Sequence, residues 1–128
     1  MPPPFRRWLF TRAWELPATA YYRSADEPAG AAFIPTYEQL VAATRREADD
    51  YLAAKAAELR NRGVAKLRTA TLQGDAADKI LELAGQTPDC LIALCTHGRS
   101  GLTRWVLGSV TEKIVQQSRS PMLIIRAR

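Results

Sequence analysis

The sequence predicts one α/β domain with three layers, α/β/α, in which helices cover a mostly parallel sheet. Short apolar runs alternate along the chain with segments of helical periodicity. Strand–helix–strand units of this kind build parallel sheets through right-handed crossovers. The chain has 128 residues, which is enough for one hydrophobic core and too few for two. We therefore expect residues 1–128 to form a single domain.

The N-terminal part of the chain predicts one strand followed by a loop. Residues 8–16 form the first apolar run and are expected to be a strand. Residues 22–35 are rich in alanine, glycine, proline and charged residues, a composition typical of loops. We expect residues 18–35 as a whole to be flexible.

A long helix is predicted for residues 36–62. Thr36 and Gln39 have the spacing of a capping box, in which each side chain bonds the backbone of the other. The apolar stripe of this helix consists of Tyr37, Leu40, Val41, Ala48, Tyr51, Leu52 and Leu59. Its other face is charged, so burial of the stripe on the sheet is favoured over a coiled-coil partner.

The next two elements are a strand and a helix. Residues 64–72 alternate in polarity and include two basic residues, a pattern typical of an edge strand. Residues 75–85 predict a helix, because Asp75 follows Gly74 as an N-cap candidate and the segment ends at a glycine.

The last three elements are a strand, a helix and a strand. Residues 91–95 are apolar throughout, which predicts a strand buried on both faces. Residues 109–118 predict a helix, since Ser109 and Glu112 have capping-box spacing. Its expected apolar face consists of Val110, Ile114 and Val115. Residues 122–125 follow a proline and predict the final strand.

The charge balance gives little support to nucleic-acid binding. Lysine and arginine number 18 against 13 acidic residues, a net charge of +5. The basic residues are scattered, so a solvated surface is favoured over a nucleic-acid interface. No apolar run reaches the length of about 18 residues that a membrane span needs, and no secretory signal is recognised. We expect a cytoplasmic protein without membrane contact.

Cysteine and histidine usage argues against a metal site. Cys90 and Cys95 are five residues apart at one predicted strand, which places them on opposite faces. They are too far apart to form a disulfide with each other, and we expect both to be small buried residues. His97 is the one histidine of the chain. Without a Cys-x-x-Cys pair, no metal is expected.

The most informative segment is the glycine-containing loop of residues 96–109. It leaves a predicted strand and leads into a helix, and this is where α/β proteins commonly bind phosphates through backbone N–H groups and the helix dipole. The loop matches neither G-x-x-x-x-G-K-[ST] nor G-x-G-x-x-G. From spacing alone, a capped turn and a phosphate site are equally good interpretations.

Particular residues in and near the loop resemble the universal stress protein (UspA-like) family. Gly98 is followed by nine residues and then by Gly108 and Ser109, as in the second half of the family signature G-x₂-G-x₉-G-[ST]. Leu72-Gln73-Gly74-Asp75 and residues 120–125 are also similar to that family. The resemblance covers residues 64–128 and implies a Rossmann-like, adenine nucleotide alpha hydrolase-like fold.

The resemblance also implies a ligand and a set of binding residues. In ATP-binding members this loop holds ribose and phosphates, so ATP, with or without Mg²⁺, is the implied ligand. The matching positions are Thr96, His97, Gly98, Arg99, Gly108, Ser109 and Val110. Ser109 could equally serve only as an N-cap and His97 as an ordinary loop histidine. Packing is favoured over base stacking for Trp105.

Two departures from the family pattern bear on this site. Cys95 stands where the signature has its first glycine. The usual opening strand, of the type I-L-V-P-x-D-x-S, has no match here, and in the family it lies in the centre of the sheet. A rearranged N-terminal segment, a partner chain and a truncated product remain alternative explanations.

Two functions therefore compete. The first is an ATP- or adenine-nucleotide-binding regulatory protein of the stress response with little or no turnover, since no residue suggests a dedicated catalytic base. The alternative is a dimeric interaction module of the same fold that binds no nucleotide. By resemblance, a homodimer would form through the last strand, residues 122–125.

Overall fold

The computed structural model describes residues 7–16, 35–97 and 107–127. In chain order the elements are β1 (Trp8–Trp14), α1 (Tyr37–Asn61), β2 (Leu67–Gln73), α2 (Ala76–Gly85), β3 (Ile92–His97), α3 (Ser109–Gln117) and β4 (Met122–Ala127). Each predicted strand and helix is present, with ends that shift by a few residues. The predicted loop of residues 18–35 lies outside the described residues, except for Pro35.

The strands pair in parallel, which together with the intervening helices confirms the α/β/α fold class. β1 pairs with β2, with Trp8 opposite Leu67, and β3 pairs with β4, with Ile92 opposite Met122. The described strands form two two-stranded sheets and not the single sheet predicted. Among the described residues, therefore, each strand is hydrogen-bonded along one edge.

The chain divides into two compact units, Met1–Gly74 and Asp75–Arg128. The first unit contains β1, α1 and β2, and the second contains α2, β3, α3 and β4. A single domain over residues 1–128 stays a prediction. None of the described helices is both long enough and apolar enough to cross a membrane.

In the first unit, α1 packs on β1 and β2 through a line of small and medium apolar residues. Ala48, Leu52 and Ala56, each four residues from the next, are buried. This spacing places them on one side of the helix. Tyr37 and Tyr51 were predicted in the buried stripe, but each is 44% exposed, so that part of the prediction is wrong. Tyr51 is next to Leu52 and lies beside the line of contact with the sheet, where a tyrosine keeps its polar end in water.

Polar contacts fix α1 to the two strands that it covers. The Thr71 hydroxyl donates to Asp49 Oδ1 at 2.9 Å, and Arg60 Nη2 donates to the carbonyl of Leu67 at 3.0 Å. The Arg12 guanidinium carbon lies 4.6 Å from the centroid of the Tyr51 ring, within cation–π distance. The exposed tyrosine therefore contributes to the contact between α1 and β1.

The predicted caps of α1 and α2 are present. The Thr36 hydroxyl accepts from the Gln39 N–H at 3.3 Å, and Gln39 Oε1 accepts from the Thr36 N–H at 2.8 Å. At α2, Asp75 Oδ1 accepts from the Asp78 N–H at 3.0 Å. Gly74 precedes that cap with φ +122°, a backbone conformation that favours glycine.

In the second unit, a small core joins α2, β3 and α3. Its buried members are Ala77, Ala84, Ile92 and Ile114. The predicted apolar face of α3 is mostly wrong, because Val110 and Val115 are 37% and 45% exposed and only Ile114 of the three is fully buried. The buried face runs through Thr111 and Ile114, three residues apart, since this side of the helix meets α2 and the strand.

In the second unit, α2 and α3 pack on one face of the sheet. Ile92 packs in the core with α2 and α3, whereas Ala93 and Cys95 on the other face are exposed. Their cross-strand neighbours, Leu123 and Ile125, are each 48% exposed. The prediction that residues 91–95 are buried on both faces is therefore wrong, because α2 and α3 pack on the same face.

Candidate nucleotide site at the start of α3

The N-terminus of α3 has no side-chain cap. Gly108 is the N-cap residue, with φ −62° and ψ 156°, and Ser109 is the first helical residue. The predicted capping box of Ser109 and Glu112 is therefore wrong, because Ser109 lies one position too far along the helix. Glu112 Oε1 instead accepts a hydrogen bond from Gln116 Nε2 at 3.4 Å, one turn further on.

With respect to the described residues, this helix start therefore presents free backbone donors. The first intrahelical bond runs from the Glu112 N–H to the Gly108 carbonyl at 2.9 Å. The preceding N–H groups, those of Ser109, Val110 and Thr111, have no acceptor among the described residues. They lie at the positive end of the helix dipole. A helix start of this kind can bind an anion.

Gly108 leaves space at the same place. A Cβ built on Gly108 would meet no described atom within 4 Å, and its φ of −62° is accessible to any residue. Within the described part of the chain, neither packing nor backbone conformation requires glycine here. A serine or aspartate would cap the helix better. Without such a cap, no described side chain occupies these donors.

The other predicted binding residues lie before this helix. Thr96 and His97 are the last two residues of β3, opposite Arg126 and Ala127 in the register. The carboxyl ends of parallel strands are where α/β proteins bind ligands. Gly98 and Arg99 lie outside the described residues, as does Trp105. Of the predicted binding residues, the structure thus brings together Gly108, Ser109 and Val110.

The two cysteines differ from the prediction in burial. Both are free thiols; Cys90 is half-buried and Cys95 is exposed. The prediction that both are buried is therefore wrong. Cys95 lies on the sheet face opposite to α2 and α3, two residues before His97. Its side chain is therefore accessible near the end of β3.

An ion-pair cluster near the start of α3 was not predicted. Lys113 Nζ lies 2.7 Å from Asp78 Oδ1 and 3.2 Å from Asp75 Oδ1, which joins α3 to the first turn of α2. The Asp78 N–H, followed by the Lys113 ammonium, lowers the pKa of Asp75. Hydrogen bonds to Asp78 and then to Asp75 raise the pKa of Lys113. Lys113 follows Ser109 by one helical turn, and this spacing in the sequence could have predicted that Lys113 lies near the site.

Parallel strands connected through helices define the class of Rossmann-like α/β proteins. A family model described as the universal stress protein family matches residues 10–126, and the chain belongs to this family. The resemblance found in the sequence is thereby confirmed.

Individual relatives agree with this assignment. The chain is 36% identical over 61 residues to the universal stress protein MJ0531 of Methanocaldococcus jannaschii. That match covers 48% of this chain and 36% of the relative, so it spans about a third of the relative's length. A solved structure, reported as a structure-based assignment of the biochemical function of hypothetical protein MJ0577, is similar in fold. It has a TM-score of 0.69 at 20% identity, with 95% of this chain and 76% of that chain covered.

Proposed function

We propose that this chain is a regulatory protein that binds ATP or a related adenine nucleotide at the start of α3. The observation that supports this most directly is the glycine N-cap, which leaves the first N–H groups of the helix without a described partner. Family membership supports it independently, because the matched signature of Gly98, Gly108 and Ser109 resembles that of ATP-binding members.

The phosphates of the nucleotide would accept hydrogen bonds from the N–H groups of Ser109 and Val110. Ser109 is exposed, so its hydroxyl can add a further donor. Thr96, His97, Gly98 and Arg99 complete the proposed site on the side of β3, and Mg²⁺ would enter with the phosphates. These contacts bind and orient a phosphate chain; they include no assigned general base. We therefore propose that hydrolysis of the nucleotide is slow or absent. We also propose that the protein is cytoplasmic and acts in the stress response.

A proline substitution tests the role of the backbone donor at Ser109. Proline is favoured at the first position of a helix, and the extended ψ of 156° at Gly108 is compatible with a following proline. Ser109→Pro therefore removes an N–H and the hydroxyl while α3 stays folded. We expect the ATP affinity, measured by isothermal titration, to fall by about tenfold or more, which corresponds to about 1.4 kcal/mol.

Ser109→Ala is the matched control, because it removes the hydroxyl and keeps the N–H. We expect a smaller loss of affinity than for Ser109→Pro. Circular dichroism and thermal unfolding verify that both variants are folded. Equal ATP binding by Ser109→Pro and the unmodified chain would place the ligand elsewhere, and no binding by the unmodified chain up to millimolar ATP would remove the proposal. Phosphate release measured over hours tests the slow turnover.

The alternative function is a dimeric interaction module, and the exposed side chains of β4 favour it. Leu123 and Ile125 expose 48% of their surface, and β4 pairs with one described strand only. Strand edges with apolar side chains are surfaces for pairing with another chain. We propose a homodimer through β4, which is compatible with nucleotide binding as well as with the alternative.

Sedimentation equilibrium tests the dimer. The unmodified chain is expected to sediment as a dimer and Leu123→Asp as a monomer, because a charge on this strand opposes burial. Glu38→Asp, at an exposed position of α1, is a control that should leave the dimer unchanged. A monomer at high concentration would exclude this interface. A dimer that binds no ATP would favour the interaction module.

A further inference from the structure

Lys113, Asp75 and Asp78 form a charged cluster in the second unit, and the proposed function assigns no role to it. Among the described residues of this unit, the ion pairs of Lys113 with Asp75 and Asp78 join two different elements. The ion pair of Lys79 and Glu82, in contrast, lies within α2. The cluster therefore links the first turn of α2 to α3. It contains two carboxylates and one ammonium.

The cluster lies close to the proposed phosphate site. Lys113 follows Ser109 by four residues, so the two side chains project from the same side of α3, about 6 Å apart along the helix axis. Side chains on a helix also incline towards its N-terminus. The two carboxylates that contact Lys113 are consequently within reach of the electrostatic field of a phosphate bound at Ser109.

Two carboxylates beside a polyphosphate site oppose binding unless their charge is compensated. Asp75 also caps α2, because its Oδ1 accepts a hydrogen bond from the Asp78 N–H at 3.0 Å. Asp78 Oδ1 has its shortest ion pair, 2.7 Å, with Lys113. Without Lys113, both carboxylates would keep their positions and their negative charge.

We propose that Lys113 is a positioning residue for the anion site: it holds the carboxylates of Asp75 and Asp78 and compensates their charge, so that the start of α3 accepts a polyphosphate. The inference rests on the proposed function. It identifies the preferred ligand class as nucleotides with several phosphates. The effect of Lys113 grows with the negative charge of the ligand, since the repulsion it offsets is Coulombic.

The test compares ATP, ADP and AMP as titrants against the unmodified chain and Lys113→Met. We expect Lys113→Met to lower the ATP affinity by about five- to tenfold and the AMP affinity by about twofold or less. Raising the salt concentration to about 0.5 M should reduce the ATP effect, because salt screens charges at this separation. Lys113→Arg should bind ATP as the unmodified chain does.

Two further variants distinguish charge compensation from a merely structural contact. Lys55→Met removes an ion pair of similar length, 3.0 Å, that lies within α1, and it should leave all three affinities unchanged. Asp78→Asn removes one carboxylate, and it should keep or raise the ATP affinity. Combined with Lys113→Met, it should restore most of the lost binding. A structural role predicts the opposite, namely weaker binding for Asp78→Asn.

The outcomes separate this inference from the proposed function. If the unmodified chain binds none of the three nucleotides, both are overturned. If it binds ATP and Lys113→Met binds equally well, or loses affinity equally for ATP and AMP, charge compensation by Lys113 is overturned and the proposed function stands. Thermal unfolding of each variant verifies folding, and Lys113→Gln replaces Lys113→Met if the latter unfolds.

Discussion

Replacing the glycine N-cap of α3 should change the stability of the chain and its affinity for ATP in opposite directions. In Gly108→Asp the new side chain enters space with no described atom within 4 Å and reaches the free N–H groups of the first turn. Compared with glycine, an aspartate cap is worth a few tenths of a kcal/mol. A negative charge at a helix N-terminus adds about 0.3–1 kcal/mol. Together these terms stabilise the fold by about 0.5–1.3 kcal/mol, or about 2–5 °C in Tm.

The same substitution should impair ATP binding. The carboxylate takes the donors that the phosphates would use, and it repels them. Two unit charges 4 Å apart interact by about 1 kcal/mol in water and about 4 kcal/mol at an effective dielectric constant of 20. We therefore expect at least about a tenfold loss of ATP affinity. The assay is calorimetric titration with ATP, paired with thermal unfolding in the absence of nucleotide.

Gly108→Asn provides the matched comparison, because asparagine caps the helix without adding charge. It should stabilise the chain less than Gly108→Asp and lose less ATP affinity. The reasoning is refuted if Gly108→Asp is stabilised as expected and still binds ATP with unchanged affinity, since the capped donors then cannot be the binding site. A lower Tm would contradict the helix start described for α3.

Three further predictions concern stability. Ile114→Ala should lower the free energy of unfolding by about 2–5 kcal/mol in urea titrations, because Ile114 is fully buried; a loss below about 1 kcal/mol would contradict its place in the core. Thr36→Ala should cost about 1 kcal/mol by removing the cap of α1, whereas Arg46→Ala on its exposed face should cost nothing measurable. The pKa of Asp75 is lowered from 3.8 in the folded state, so its contribution to stability is present above that pH and is lost as the pH falls through the lower folded value. Unfolding measured between pH 6 and pH 2 should therefore depend less on pH in Asp75→Asn than in the unmodified chain; equal slopes would contradict the shift.

Local signals in the sequence were enough to predict most elements. The caps at Thr36 and Asp75 were predicted correctly because each depends on residues within three positions of it. The family resemblance was recoverable for the same reason, since Gly98, Gly108 and Ser109 lie in one short segment. Pairing in parallel followed from the alternation of strands and helices.

The errors arose where the answer depends on distant parts of the chain or on a shift of one residue. Ser109 and Glu112 have capping-box spacing, but Gly108 also has an extended backbone and becomes the cap, a choice that the spacing does not determine. The exposure of Cys95 depends on which face α2 and α3 cover, and nothing in residues 91–95 specifies it. The pairing of Lys113 with Asp75, 38 residues away, likewise needs the fold.

The division of the described strands into two sheets has a consequence for how the protein unfolds. Backbone hydrogen bonds join β1 to β2 and β3 to β4, so each ladder forms and breaks within one unit. Ladder bonds between the described strands therefore transmit no cooperativity from one unit to the other, and native-state hydrogen exchange should resolve two protected groups of amides with separate opening free energies. ATP bound at the start of α3 would slow exchange in the second group before it affects the first.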